Sequence, residues 1–402
     1  MKVLHITSYI TGGAGIAVMR LHNALLDSGI DSKVLCYFSM DENLSKEVYT
    51  VNSRKSFITK SKERFGLDRK GRLLKGLTGN YEAFTTPFSE IKLHEHELVK
   101  NADIIHLHWV GDFVDVPSFF ENVKKPVVWT AHDLNPILGG FHYEQDVARN
   151  PTFKGIEDKL RTLKHKYINE AKVQFIGSSK FTVEKVSEYL PGISCLQIPC
   201  ILDLKNYSPI EKSIAKTALR FGDEHLVLGV GADDLENKRK GYRILMDAIG
   251  KLTIADQQCI KLVTFGNAKD NGANQNPTIQ TVRFETIKNK LFHSLLYSAL
   301  DFFVIPSLEE TFGLTGTEAL LCNTPLLGSK TGGVPDYCED QVSGLLFSPG
   351  AVDELHLKLK EVLDLKKQGQ TAFPDCARNI LDWYNQEDPV NRHIQLYKNL
   401  VS

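Results

Sequence analysis

Glu310 and Glu318 are the residues whose type and spacing say most about chemistry. Glu310 follows an apolar run, Phe302 to Ile305, that reads as a buried parallel strand, and Glu318 lies on a short helix ending near Cys322. The spacing puts two acceptor groups around one helix N-terminus, whose free amides and dipole attract an anion such as phosphate. Phe312, Gly313, Leu314 and Thr315 supply close backbone approach at that terminus. A carboxylate does not stabilise a phosphate, so the two glutamates suit neutral hydroxyls, which sugars and riboses carry. The cations stand in another loop. Lys238-Arg239-Lys240 precedes Gly241 and a helix, where charge-assisted hydrogen bonds would neutralise a departing diphosphate; the plainer reading is an exposed basic turn.

The N-terminal half offers glycines and histidines. Val3 to Thr7 reads as a strand, and Gly12, Gly13 and Gly15 follow it ahead of a helical pattern with Val18, Leu21 and Leu25 on one side. Such a loop lets a ligand approach the backbone without a Cβ in the way. His106 and His108 share one face of the strand around Asp103 to Trp109, a spacing that also suits metal ligands. No third ligand is evident, so no metal site is expected; the pair lines an acceptor pocket or is hydrogen-bonded near the surface. The next strand, Pro126 to Ala131, delivers His132-Asp133 at its C-terminal end, where ligands of open α/β sheets collect.

Strands and helices alternate throughout, which predicts parallel sheets covered by helices. Polar and turn-forming residues between Pro199 and Lys212 separate two independent series. The expected fold is therefore α/β, with two Rossmann-like, doubly wound domains at 1–200 and 201–385.

The string EETFGLTGTE, followed by ALLCNTPLL and TGGVPD, resembles the donor-site signature of family 4 glycosyltransferases, which have the GT-B fold. Glu310 and Glu318 match the family's E-x7-E pair, and Gly332, Gly333 and Pro335 its G-G-x-P turn. The string KPVVWTAHDLNPILGGFHY is similar to a branch devoted to bacterial surface polysaccharides. The resemblance implies two domains facing across a cleft and a final helix, 386–402, crossing back to the first. It implies retaining, metal-independent transfer from a UDP- or GDP-linked sugar, with no further cofactor. By resemblance Glu318 holds the ribose, Lys240 with Arg239 the diphosphate, and Glu310 the donor sugar's hydroxyls. His132 and the glycine loop reach the transferred sugar. The chain departs from the family where Ala232 or Asp233 replaces an Arg; Arg239 or Lys238 stands in for it. Two other functions fit the same pattern: a nucleotide-sugar epimerase, and a silent sugar- or nucleotide-binding subunit of a transferase complex.

Composition narrows the partners. The 402 residues are 42% hydrophobic and 24% charged with a net charge of −1, giving no overall pull toward nucleic acid. The seven scattered cysteines include no C-x-x-C pair and read as reduced thiols. No apolar run is long enough to span a bilayer, and the first residues lack a signal peptide's layout, so the expected location is cytoplasmic. The segment 54–75 is basic with interleaved apolar residues. It reads either as a peripheral contact with the inner membrane face or as a solvated insertion packed on the domain. A saccharide or lipid-linked saccharide is the expected acceptor.

Overall fold

The computed structural model describes residues 1–39, 44–51, 69–267, 276–370 and 373–402. The chain divides into two units, Met1–Ile201 together with Pro389–Ser402, and Leu202–Asp388.

The N-terminal unit has seven strands: β1 (Lys2–Thr7), β2 (Asp31–Cys36), β3 (Val48–Thr50), β4 (Ile104–Leu107), β5 (Val127–Ala131), β6 (Gln174–Gly177) and β7 (Cys195–Gln197). They pair in the order β3-β2-β1-β4-β5-β6-β7, all parallel. The C-terminal unit has six: β8 (Leu226–Asp234), β9 (Ile260–Asn267), β10 (Gln280–Phe284), β11 (Phe302–Ile305), β12 (Leu326–Ser329) and β13 (Gly344–Phe347). Their order is β10-β9-β8-β11-β12-β13, again parallel. Both sheets reverse their strand order once, between β1 and β4 and between β8 and β11. Ligands of such sheets bind outside the strand C-termini at that reversal. The first holds the glycine loop and His108, the second the loops of Lys240 and Glu310.

Strand β8 runs past its expected end at Val230. It keeps pairing with β9 as far as Asp234 and Asn267, across an irregularity after Gly231. Gly231 allows this because a Cβ there would lie 2.0 Å from the Phe265 ring.

The period of two explains the first sheet's faces. Leu4, Ile6, Ile105, Leu107, Trp129 and Ala131 pack into the large core on one face. On the other, Val3, Ile104 and Val128 pack with Leu21 and Leu25 of the Gly12–Asp27 helix and with Leu396 and Tyr397 of the Pro389–Val401 helix. Two residues further along the same strands, this second face turns from aliphatic to imidazole. His5 and His106 are register partners, and His108 follows on their face.

Candidate functional site

In the C-terminal unit, two loops are fastened together by their backbones. The turn Lys238–Lys240 after β8 accepts a hydrogen bond from the Leu308 amide through the Arg239 carbonyl, at 2.7 Å. Gly241 ends the turn with φ +69°, and a Cβ there would stand 1.9 Å from the Pro306 carbonyl oxygen. Only glycine combines that conformation with so close an approach. Gly332 does the same on the far side, with φ +56° and its Cβ direction 2.0 Å from the Glu310 carbonyl oxygen. The loop bearing Glu310 is thus clamped between two glycine turns.

The side chains meet as a result. Lys240 Nζ donates to Glu310 Oε2 at 2.7 Å, and Ser307 Oγ donates to the same oxygen at 3.4 Å. Burial pushes the Glu310 carboxyl up, but the Lys240 and Arg239 charges outweigh it and hold the group below its ordinary value. Glu310 is therefore a carboxylate. Arg239 is buried and donates through Nη1 to the Glu309 carbonyl at 3.0 Å, so part of its guanidinium braces the loop. Lys238 is exposed and Lys240 half-buried.

Glu318 is buried in the helix Leu314–Leu321. Tyr297 donates to its Oε2 at 3.5 Å, and that tyrosine stacks on His293 at 4.5 Å between ring centres, so an aromatic cluster supports the carboxylate. The helix starts at Gly313, whose φ is +88°, and no side chain caps it. Gly313, Leu314 and Thr315 are half-exposed there, whereas Phe312 is buried beside Tyr337, whose hydroxyl donates to the Gly313 carbonyl at 2.9 Å. An uncapped, accessible first turn is what an anion needs.

In the N-terminal unit the three loop glycines differ. Gly12 and Gly13 are exposed at the first turn of their helix, which also lacks a side-chain cap, and a Cβ on Gly13 would meet nothing within 4 Å. Gly15 is buried, and a Cβ there would lie 2.3 Å from the Ile10 carbonyl carbon. Its role is to let the helix close on the loop.

His132 lies just past β5, half-buried, and is joined through Nε2 to His108 Nδ1 at 3.0 Å. Burial lowers its pKa to about 4, against a smaller raising effect of Asp133. His108 Nε2 is joined in turn to His5 Nδ1 at 2.9 Å. His106 bridges Thr130 Oγ1 and the Tyr397 hydroxyl, both at 2.7 Å. Burial holds His5, His106 and His108 well below the usual imidazole range. All are neutral at ordinary pH. Asp133 instead serves the loop, accepting from Trp109 Nε1 at 2.8 Å and the Asn135 amide at 2.9 Å, with His142 Nδ1 at 2.6 Å.

This arrangement corrects two expectations. The pair His106 and His108 is fully buried, not near the surface. It also has a third imidazole beside it: one nitrogen from each of His5, His106 and His108 lies within 4.8 Å of the others. Such a trio is a donor set for zinc or another borderline metal. Both nitrogens of His106 and of His108, however, already have hydrogen-bond partners. His5 was missed because one histidine in the apolar strand VLHIT carries no local signal. Its meaning comes from being opposite His106 in the sheet.

Residues 54–68 of the basic segment and 268–275 of the polar Gly/Asn connection lie outside the described residues. From residue 69 onward, Arg69 stacks over the Phe88 ring at 3.4 Å, Lys70 pairs with Asp112 at 2.8 Å, and Leu73 and Leu74 pack against the core. Among the described residues no helix is long and apolar enough to cross a membrane.

Comparison with known proteins matches residues 212–373 to the family Glycosyl transferases group 1. A D-inositol 3-phosphate glycosyltransferase of Mycobacterium marinum is 26% identical over 306 residues, 71% of this chain; the chain spans 62% of that relative's length. A 41.2 kDa protein in the cps region of Klebsiella pneumoniae, described as uncharacterised, is 22% identical over 412 residues, 99% of each chain. Among solved structures, Anabaena Alr3699/HepE in complex with UDP-glucose superposes with a TM-score of 0.65 at 17% identity, covering 100% of this chain and 99% of its own. The architecture is therefore GT-B, and the segment similar to glycosyl transferases group 1 spans most of its C-terminal unit.

Proposed function

We propose that this chain is a retaining glycosyltransferase that takes a sugar from a UDP- or GDP-linked donor to a saccharide or lipid-linked saccharide of an envelope polysaccharide. The observation that carries the reading is the Lys240–Glu310 ion pair beside the uncapped start of the Leu314–Leu321 helix, which carries the buried Glu318 one turn further on. Glu318 is assigned to the ribose hydroxyls, and the helix amides with Lys240 to the diphosphate. Glu310, already anionic, is assigned to the donor sugar's hydroxyls. His132, neutral and half-buried, is assigned to the transferred sugar, along with Gly12 and Gly13.

In the reaction the bond from the sugar's C1 to the diphosphate oxygen breaks. A bond to the acceptor oxygen forms on the same face, and the departing phosphate takes the acceptor's proton. Lys240 and the helix terminus stabilise the charge that develops on that phosphate. No metal is needed on this reading, so transfer should survive chelation; abolition by EDTA and rescue by magnesium would overturn that part. The UDP-glucose complex of HepE supports a nucleotide-sugar donor, and the cps-region relative supports the polysaccharide role. Peripheral membrane contact through 54–75 is testable by binding to acidic vesicles before and after deletion of the segment.

The deciding experiment is thermal stabilisation by a panel of nucleotides and nucleotide sugars. One base at a hundred times its dissociation constant should stabilise by about 2.7 kcal/mol. In Glu318→Ala at the same concentration the stabilisation should fall to about 0.4–1.4 kcal/mol. A folded protein that no nucleotide stabilises would sink the reading.

A further inference from the structure

His132 has one hydrogen-bond partner among the described residues, His108, and His108 is tied in turn to His5. The three imidazoles form an unbranched chain whose inner end, His5 Nε2, is buried with no partner. Its outer end is His132 Nδ1, on the half-buried residue at the mouth of the strands. A neutral imidazole carries one proton, so each link donates in one direction only, and fixing one end fixes the other. A buried N–H without an acceptor is rarer and costlier than an under-used acceptor. The proton of His5 therefore belongs on Nδ1, which donates to His108 Nε2. His108 then carries its proton on Nδ1 and donates to His132 Nε2.

We propose that His108, backed by His5, is a positioning residue that holds His132 in the Nδ1–H tautomer, so that His132 offers the donor sugar a hydrogen-bond donor of fixed direction. The ring geometry agrees: His108 and His132 stack with centres 5.2 Å apart and planes 28° apart, so the inner ring also sets the tilt of the outer one. His106 is left out of the relay, since its nitrogens are committed to Thr130 and Tyr397, but its ring lies 4.1 Å from that of His108 and backs it. The inference rests on the assignment of His132 to the transferred sugar. It adds a preference for a sugar that places an acceptor oxygen, not only a donor hydroxyl hydrogen, against that nitrogen.

The test reads the tautomer directly, by long-range 1H–15N spectra of the imidazoles in the full chain at neutral pH. The expected result is His132 protonated on Nδ1 in the wild type. His108→Leu should give a mixture of tautomers and a donor KM raised about tenfold with a smaller change in kcat, about the worth of one oriented hydrogen bond. His108→Asn, which keeps an amide donor at the same place, should restore the single form and most of the affinity. His132 protonated on Nε2 in the wild type would overturn the proposal, as would a tautomer unmoved by His108→Leu. Resonances of His5 and His108 that shift stoichiometrically with zinc would overturn it too, because a metal would replace the relay. Failure of the functional reading looks different: His132→Ala would then leave donor KM and turnover unchanged, whatever the tautomer.

Discussion

The two sheets reverse their strand order in the same way, yet what collects at the two reversals is opposite in character. At β8 and β11 the loops carry charge: Lys240 and Glu310 form an ion pair and Glu318 stands beneath an open helix start. At β1 and β4 the corresponding place holds His5, His106, His108 and His132, all kept neutral by burial. A common frame thus gives one unit the means to handle a charged group and the other the means to direct hydrogen bonds without charge. The division follows from countercharge and solvent access together: Lys240 and Arg239 hold Glu310 ionised despite its burial, and no neighbouring charge outweighs burial for the histidines. Lys240 keeps 27% of its side chain exposed, whereas His5 and His106 keep none of theirs.

The sharpest way to break this comparison is to remove one side chain from each side. Lys240→Ala should lower turnover by about 10²–10³-fold, the usual effect of deleting one group that stabilises developing charge. An equal fall in His132→Ala would mean that the N-terminal side also bears on charge. Glu318→Ala should weaken nucleotide binding by about 10–100-fold in calorimetry, reflecting the lost hydrogen bonds of the ribose hydroxyls. Gly241→Ala should cost about 1–3 kcal/mol for the left-handed backbone alone, with more from the Pro306 clash, read as a lower denaturant midpoint.

The mildest test is pH. The buried histidines have folded pKa values below the ordinary 6.5, so the unfolded chain takes up protons first as pH falls. Their contribution is intact above pH 6.5 and is lost progressively below it, down to about 4 for His132. Glu310 works in a lower window: its contribution is intact above its ordinary 4.5 and is lost only as pH falls through its depressed folded value. The N-terminal unit should therefore loosen first between pH 6.5 and 4.5. Fluorescence of Trp109 and Trp129 should change there before that of Trp383, tested with single-tryptophan variants.

Much of the fold was legible because its signals are short-range. The runs Phe302 to Ile305 and Leu226 to Val230 are apolar and unbroken, and strand and helix alternate, which yields two parallel sheets. The strand limits were less so, since β8 continues only because β9 is beside it. In the C-terminal site, Glu310, Gly313 and Glu318 lie within one motif, and their proximity needed no tertiary knowledge. The link from Lys240 to Glu310 spans seventy positions, and glycine contacts not written in any local pattern make it. The histidine relay was illegible for a stronger reason. His5 lies on β1 and His108 and His132 just past the ends of β4 and β5, and only the register of those three strands puts them in a line.

The hydroxyl of Tyr397 closes that array, reaching His106 from the Pro389–Val401 helix. During synthesis this helix emerges only after the whole Leu202–Asp388 unit has been made. The first sheet to leave the ribosome is thus the last to be finished, and until then His106 lacks its Tyr397 partner and the aliphatic face beside it lacks the cover of Leu396 and Tyr397. A nascent chain of this protein should bind a chaperone through that face longer than its early position suggests, and a stop codon before residue 389 should leave the N-terminal unit, not its neighbour, prone to degradation.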